Sequence, residues 1–572
     1  MDTQRFVLFL IFATSLLFLW DAWQKEQYPA THAPTTAVQG TETQGGAGTA
    51  GTAGTAETPV PGDQLASSVP QRGSTAENGA PVRAAGKLES GDKITIKTDM
   101  VLAEIDTAGG DIRRLELLHQ PSKEDKNKPF ALLESDPERV YIAQSGLIGE
   151  GLPTHKTRFT AEPGTYELAA GQDKIQIRLS AAEADGVQVT KIYTFHRGSY
   201  LIDVSFEVAN QRNAAIQPFS YFQMLRDSRP PVGSFFMVPT YTGAALYTEE
   251  EKFKKIEFSA LDKGNASYPK NADNGWIAML QQYFLAAWLP KDKLPREYYA
   301  KRLGENEYTA GVIVPVGQIE PGSSATVTVP LYAGPEEQSK LASIAPGLDL
   351  VVDYGWLTVI GAPLFWLLSL FHSWTGNWGV AIILLTMSVK LAFFPLSAAG
   401  YRSMAKLRLV TPKLQRLREQ HGNDRQRMHQ AMMDFYKTEK INPMGGCLPI
   451  LVQIPVFISL YWVLLSSVEL RYASFALWIE DLSAPDPYYV LPVIMGISMF
   501  LQQRLSPPAT DPIQARVMQI MPLAFSVFFF FFPAGLVLYS LVNNVLSIAQ
   551  QWQITRMIEG SVANTSKQKK AN

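Results

Sequence analysis

Carboxylates are missing from every long apolar segment of this chain, and cysteine is nearly missing from all of it. The single cysteine, Cys447, excludes an intramolecular disulfide and a cysteine-based metal cluster. Beside Gly445 and Gly446 it reads as small packing rather than as a reactive thiol. No Walker loop, no H-E-x-x-H and no G-x-S-x-G is present, and Gly86-Lys87 runs into Leu88 rather than Ser or Thr. No nucleophile–base pair lies within the apolar segments, so neither enzymatic activity nor a cofactor is expected. The net charge of -2 gives no global pull towards nucleic acid. A chain of 572 residues exceeds one core, so several domains are expected.

Against these absences one lysine stands out. Lys390 sits in the apolar run Trp378–Phe394, which is otherwise long enough to cross a membrane. A cation at that depth costs roughly 2.5–3.5 kcal/mol on insertion scales. It must snorkel to an interface or face a wet cavity, a partner or a substrate. The polar residues that can join it, such as Thr386, Gln453 and Asn544, are uncharged. A positive charge among neutral polar groups suggests a site that receives something negative from outside. Snorkelling to the nearer helix end is the competing reading.

The chain divides by composition. Residues 1–27 hold the apolar run Phe6–Trp20 followed by Trp23, without small residues for cleavage, and read as a retained membrane anchor. Residues 28–87, rich in Gly, Ala, Thr, Pro and Ser, cannot bury a core and read as a flexible linker. From 88 to 345 the pattern has period two. Ile202, Val204, Phe206 and Val208 face one way; Ile175, Ile177 and Leu179 repeat this, as do Ala325, Val327 and Val329. Turn signals at Ala108–Asp111 and Glu320–Ser323 complete the picture of a large antiparallel β-sandwich. Tyr221, Phe222, Tyr283 and Phe284 belong to its core or to a groove on it.

Residues 346–376 carry Gly361 and Pro363 inside an apolar stretch and suit a helix lying along the interface. The Lys390 run follows, then apolar stretches near 447–466, 488–503, 518–532 and 534–553. The last two are split by Phe532-Pro533-Ala534-Gly535 into a tight helical hairpin. With the anchor, this predicts a membrane α-helical bundle of six transmembrane helices.

Charge orients the bundle. Residues 398–442 are basic, with Arg402, Lys406, Arg408, Arg416, Arg425 and Arg427 among their cations, which puts this segment in the cytoplasm. Residues 467–487, with Glu469, Glu480, Asp481 and Asp486 against Arg471, then fall outside, and the basic tail 557–572 inside. Both termini are cytoplasmic and the β domain is external. The basic segment itself reads as two amphipathic helices. One carries Met404, Leu407 and Leu414; the other is capped by Asp424, carries Met428, Met432 and Phe435 on one face, and ends at Asn442-Pro443. Such a hairpin suits RNA, anionic lipid or a nascent chain, or serves only topology.

Three segments carry a resemblance: Met444–Phe457, Phe475–Leu482 and Phe532–Tyr539. In this order and spacing the membrane region, about 355–556, resembles the YidC/Oxa/Alb family of membrane protein insertases. The anchor, linker and β domain resemble its Gram-negative bacterial branch more loosely. The resemblance implies a bacterial inner-membrane location with a periplasmic β-sandwich. It also implies an insertase core at 377–556, of five helices around a hydrophilic groove open to cytoplasm and lipid but closed outside.

The family's groove cation matches Lys390, where Arg is usual in this branch. Lysine keeps the charge but loses the planar fork for carboxylates. Thr386, Gln453, Phe457, Tyr539 and Ser540 match the remaining groove positions, with Ser540 standing where a second tyrosine is common. The implied activity is insertion and folding of nascent membrane proteins, alone or with a Sec translocon. The ribosome, the signal recognition particle pathway and membrane lipids are the further partners. A secondary transporter or channel would use the same lysine but calls for internal repeats or paired intramembrane charges, which the sequence lacks. A carbohydrate-binding or assembly protein would act through the β domain alone.

Overall fold

The computed structural model describes residues 88–136, 138–229, 241–291, 293–421, 425–438, 448–505 and 512–571. The expected anchor and linker lie outside the described residues, as do the Asp424 cap, the Asn442-Pro443 stop and Met444–Cys447. The chain forms two compact units that meet at the Gly334–Pro335 bond.

In the first unit, period-two alternation becomes two sheets. Among the described residues one has ten strands and the other nine. In the strand Leu201–Asn210, Ile202, Val204, Phe206 and Val208 are at most 1% exposed while Asp203, Ser205 and Glu207 are not buried. That strand lies antiparallel between Val187–His196 and Ser324–Pro335. In the facing sheet, Phe219–Asp227 lies antiparallel between Val140–Ile148 and Glu307–Pro315. The inner faces meet through Phe206 against Phe222 at 6.0 Å and Phe222 against Trp288 at 5.1 Å between ring centroids. Tyr221, Phe222, Tyr283 and Phe284 are all buried; Phe222 lies between the sheets, whereas the Tyr221 hydroxyl on the opposite face accepts the His155 N–H.

One pairing is not readable from alternation: Lys93–Lys97 runs parallel to Gly164–Glu167 at the edge of the larger sheet. The turn Ala108–Asp111 needs its glycines. Gly109 has φ +88°, and a Cβ there would collide with the His155 carbonyl. A short helix, α1 (Phe258–Asp262), completes this unit.

The last strand stops at Pro335, about ten residues before the expected domain end, because Glu337 starts a new element, α2 (Gln338–Ile344). The expected interfacial helix begins as two 3-10 turns, Leu348–Val351 and Gly355–Leu357. It then becomes α3 (Thr358–Thr375), ended by Gly376 at φ +66°. α4 (Trp378–Ala392) starts on Asn377, whose side chain accepts the Val380 N–H. It stops at Phe393, since Pro395 has no N–H to continue the ladder but fits the first turn of α5 (Phe394–His421). α5 leaves α4 at 67°.

α6 (Arg425–Thr438) packs back on α5 through Val410, Leu414 and Leu407 against Met432, Phe435 and Tyr436, which is the expected amphipathic hairpin. α7 (Leu448–Ser466), α8 (Val490–Leu505), α9 (Pro512–Phe529) and α10 (Ala534–Ala571) follow. α10 continues through the segment expected to be a separate tail.

Among the described residues no single helix is long and apolar enough to cross a membrane; α4 and the first part of α5 meet that test only together. This differs from the expected row of complete spans. The cause in α4 is length: 15 residues rise about 22 Å, short of an apolar layer of about 30 Å.

Candidate functional site

One end of the helical unit is closed by the loop after α7. The Asp486 carboxylate accepts the Leu491 N–H at 2.7 Å, which caps α8, and the Trp478 indole N–H at 3.0 Å. Ala534 and Gly535 at the start of α10 donate to the carbonyls of Ala484 and Leu482 at 2.8 and 2.9 Å. The Asn377 amide donates to the Phe475 carbonyl at 2.8 Å, and Gly379 lets the Phe475 ring lie on α4. The N-termini of α4, α8 and α10 are therefore stitched to one loop. Lys390 lies towards the opposite end of α4.

α10 carries a polar stripe. Ser540, Asn544, Ser547 and Gln551 are spaced by four, three and four residues, and each is at most 5% exposed. Lys390 is 8% exposed and its ammonium donates to the Ser547 hydroxyl at 2.6 Å. Ser547 donates in turn to the Asn543 carbonyl at 2.7 Å. The Gln453 amide of α7 donates to the Asn543 side-chain oxygen at 2.7 Å. The expected companions of Lys390 are thus only partly those found. Gln453 reaches this network through Asn543, whereas Thr386 is buried and donates to the Ile382 carbonyl of its own helix at 2.7 Å. Asn544 turns to Ser498 of α8 at 2.8 Å.

Phe457 and Tyr539 face each other with ring centroids 6.3 Å apart. The Tyr539 hydroxyl is buried without a hydrogen-bond partner among the described residues. Ser540 is buried as well, but its hydroxyl donates back to the Leu536 carbonyl at 2.8 Å. The phenol is therefore the group of this pair with bonding capacity to offer. In the hairpin, Arg402, Lys406, Arg408, Arg416 and Arg427 are exposed, and Arg425 is the first residue of α6.

Sequence reading missed Ser547 and Asn543. Serine is unremarkable inside a helix, since it can bond back to its own backbone. The available signal was the spacing of Ser540, Asn544, Ser547 and Gln551 within an apolar run, which puts four polar groups on one face.

Comparison with known proteins also divides the chain in two, with the break within α3 rather than at Gly334–Pro335. Residues 93–367 match the family model of the YidC periplasmic domain, and residues 370–561 that of the 60Kd inner membrane protein. A membrane protein insertase YidC of Nitrosospira multiformis is 98% identical over 572 residues, covering 100% of both chains. One of Nitrosomonas eutropha is 63% identical over 567 residues, 97% of this chain and 90% of that one. A crystal structure of an active YidC insertase with its first transmembrane domain resolved aligns with 82% of this chain and 94% of its own, at 18% identity and a TM-score of 0.38. With two family models matched in order and relatives of such identity along the whole length, the chain belongs to the YidC family of membrane protein insertases, inner-membrane proteins with a periplasmic domain.

Proposed function

We propose that this insertase moves client helices into the bilayer along α7 and α10, with Lys390 as the fixed charge that draws in the client's leading flank. The observation that carries this reading is the state of Lys390. It is nearly buried, its hydrogen-bond partner is a neutral hydroxyl, and no carboxylate among the described residues neutralises it. A cation kept in that condition attracts an anion from outside.

In this scheme a client with a short acidic flank arrives from the cytoplasm. Taking one charged residue to the centre of a bilayer costs roughly 2.5–3.5 kcal/mol. A charge-assisted hydrogen bond returns about 1.5–3 kcal/mol, so one ammonium offsets most of the cost for one carboxylate. Gln453 and Asn543, next to the Lys390–Ser547 contact, and the Tyr539 hydroxyl about 12 Å further along α10 offer the flank neutral polar contacts, in the role of a groove. The apolar part of the client passes Phe457 into lipid, driven by burial worth roughly 25 cal/mol per Å². No nucleotide is needed.

Side chains such as Ile497, Leu523 and Phe528, each more than half exposed, give α8 and α9 faces suited to lipid. The loop over α4, α8 and α10 suits the external end, which keeps the site open only to cytoplasm and lipid. This topology is multi-pass, with both termini cytoplasmic and the sandwich periplasmic. Nascent membrane proteins are the clients. A Sec translocon, the ribosome and the signal recognition particle pathway are proposed partners, the basic hairpin receiving the chain and membrane lipids surrounding the bundle.

A photoreactive residue at Gln453 or Phe457 tests the path. Nascent clients should crosslink to both positions, whereas a probe at Ile497 should capture lipid first. Client crosslinks confined to Ile497 would remove α7 from the path.

A further inference from the structure

Resting on the reading of Lys390 as the groove charge, we propose that Ser547 is the residue that positions it. A lysine ammonium is a point charge on a flexible four-carbon stem with three donors. Lys390 lies two residues from the end of α4, so nothing in its own helix stops the side chain from extending to the nearer water. The restraint comes from α10. The Ser547 oxygen stands 2.6 Å from the ammonium, and its own proton is committed to the Asn543 carbonyl at 2.7 Å, which leaves its lone pairs for donors. Ser547 is 4% exposed, so water does not compete freely for that oxygen.

Two properties follow from the choice of a hydroxyl. It holds the ammonium without cancelling its charge, which a carboxylate at the same place would do. It also uses one of three N–H groups, so two remain for the carboxylate of an incoming flank. Because Asn543 lies one helical turn before Ser547 and binds Gln453, the ammonium is parked in line with the contact between α7 and α10. A client passing along α7 meets the charge there and not at the helix end.

Insertion of two clients, one with an acidic and one with a neutral flank, into proteoliposomes carrying the full-length protein tests this. The variants are Ser547→Ala, Ser547→Thr, Lys390→Ala and Lys390→Ala/Ser547→Ala. Ser547→Ala should lower insertion of the acidic client about tenfold, the scale of one charge-assisted hydrogen bond, and spare the neutral client. Ser547→Thr, which keeps the hydroxyl, should restore it. Adding Ser547→Ala to Lys390→Ala should change nothing further, because the serine acts through the lysine. If Ser547→Ala equals wild type while Lys390→Ala is impaired, the positioning role is wrong and the groove charge stands. Loss of both clients, or a further loss in the double variant, makes Ser547 a packing residue and overturns the inference. Full activity of Lys390→Ala overturns the reading beneath it.

Discussion

Lys191 on one sheet of the sandwich and Asp111 on the other stand 3.7 Å apart with both side chains fully buried. Lys191 also donates to the carbonyls of Gly109 and Ser145 at 3.2 Å each, and Asp111 accepts from Gln144 at 3.0 Å. Removing one partner leaves a charge without its mate. Lys191→Met should therefore cost about 3–5 kcal/mol, while Lys191→Met combined with Asp111→Leu should recover most of that. Thermal unfolding of the solubilised protein compares the two. A single variant as stable as wild type would show that the pair does not tie the sheets together.

The same pair gives the sandwich a pH dependence. Burial pushes the Asp111 carboxyl from 3.8 up to about 6, against the pull of Lys191 and Arg113. The folded state thus holds this proton more tightly than the unfolded chain does. Its contribution to stability is complete below pH 3.8 and is lost as pH rises through about 6. Stability of wild type relative to Asp111→Asn should fall between roughly pH 4 and 6, by at most about 1.4 kcal/mol per pH unit. A difference that stays flat across that range contradicts the assignment.

Gly379 marks the closed end of the helical unit. A Cβ there would collide with the Phe475 ring, whose backbone carbonyl also accepts from Asn377. Gly379→Ala should cost about 1–3 kcal/mol through overpacking, and Phe475→Ala in the same chain should relieve part of it. Protease cleavage after Phe475 and the unfolding midpoint both report this. Equal midpoints for wild type and Gly379→Ala would mean that the ring does not seal α4.

The sandwich and the helical unit form separate compact units, and the groove positions all lie in the second. Deleting residues 90–334 should leave much of the insertion activity of the membrane unit intact, measured on a client with a short flank. Abolished insertion, with the truncated protein still folded in the membrane, would move the function to the β domain.

The sandwich was legible because Ile202, Val204, Phe206 and Val208 alternate strictly, and a sheet with one buried face demands that alternation. Lys191 was not legible: in Lys191-Ile-Tyr-Thr-Phe195 a lysine looks like one exposed position, and only the facing sheet supplies its acid. The parallel pairing of Lys93–Lys97 with Gly164–Glu167 joins segments about 70 residues apart, with no local mark of their partnership. In the helical unit Lys390 announced itself by its cost in an apolar run, and the hairpin by its periodic Met, Leu and Phe. The run Trp378–Phe394 read as one span because its end is hidden in apolar residues. The break comes from Pro395, whose effect falls on the residues before it. Ser547 stayed hidden because its role depends on a partner 157 positions away.

The most direct test of Lys390 uses energy-free liposomes and one client whose translocated flank is acidic or neutral. Wild type, Lys390→Arg, Lys390→Ala and Lys390→Glu are compared by protease protection. The charge account predicts that the acidic client is protected by wild type and Lys390→Arg, weakly by Lys390→Ala and least by Lys390→Glu, while the neutral client varies little. Equal protection of the acidic client by Lys390→Arg and Lys390→Glu would contradict it and leave Lys390 a residue that only snorkels.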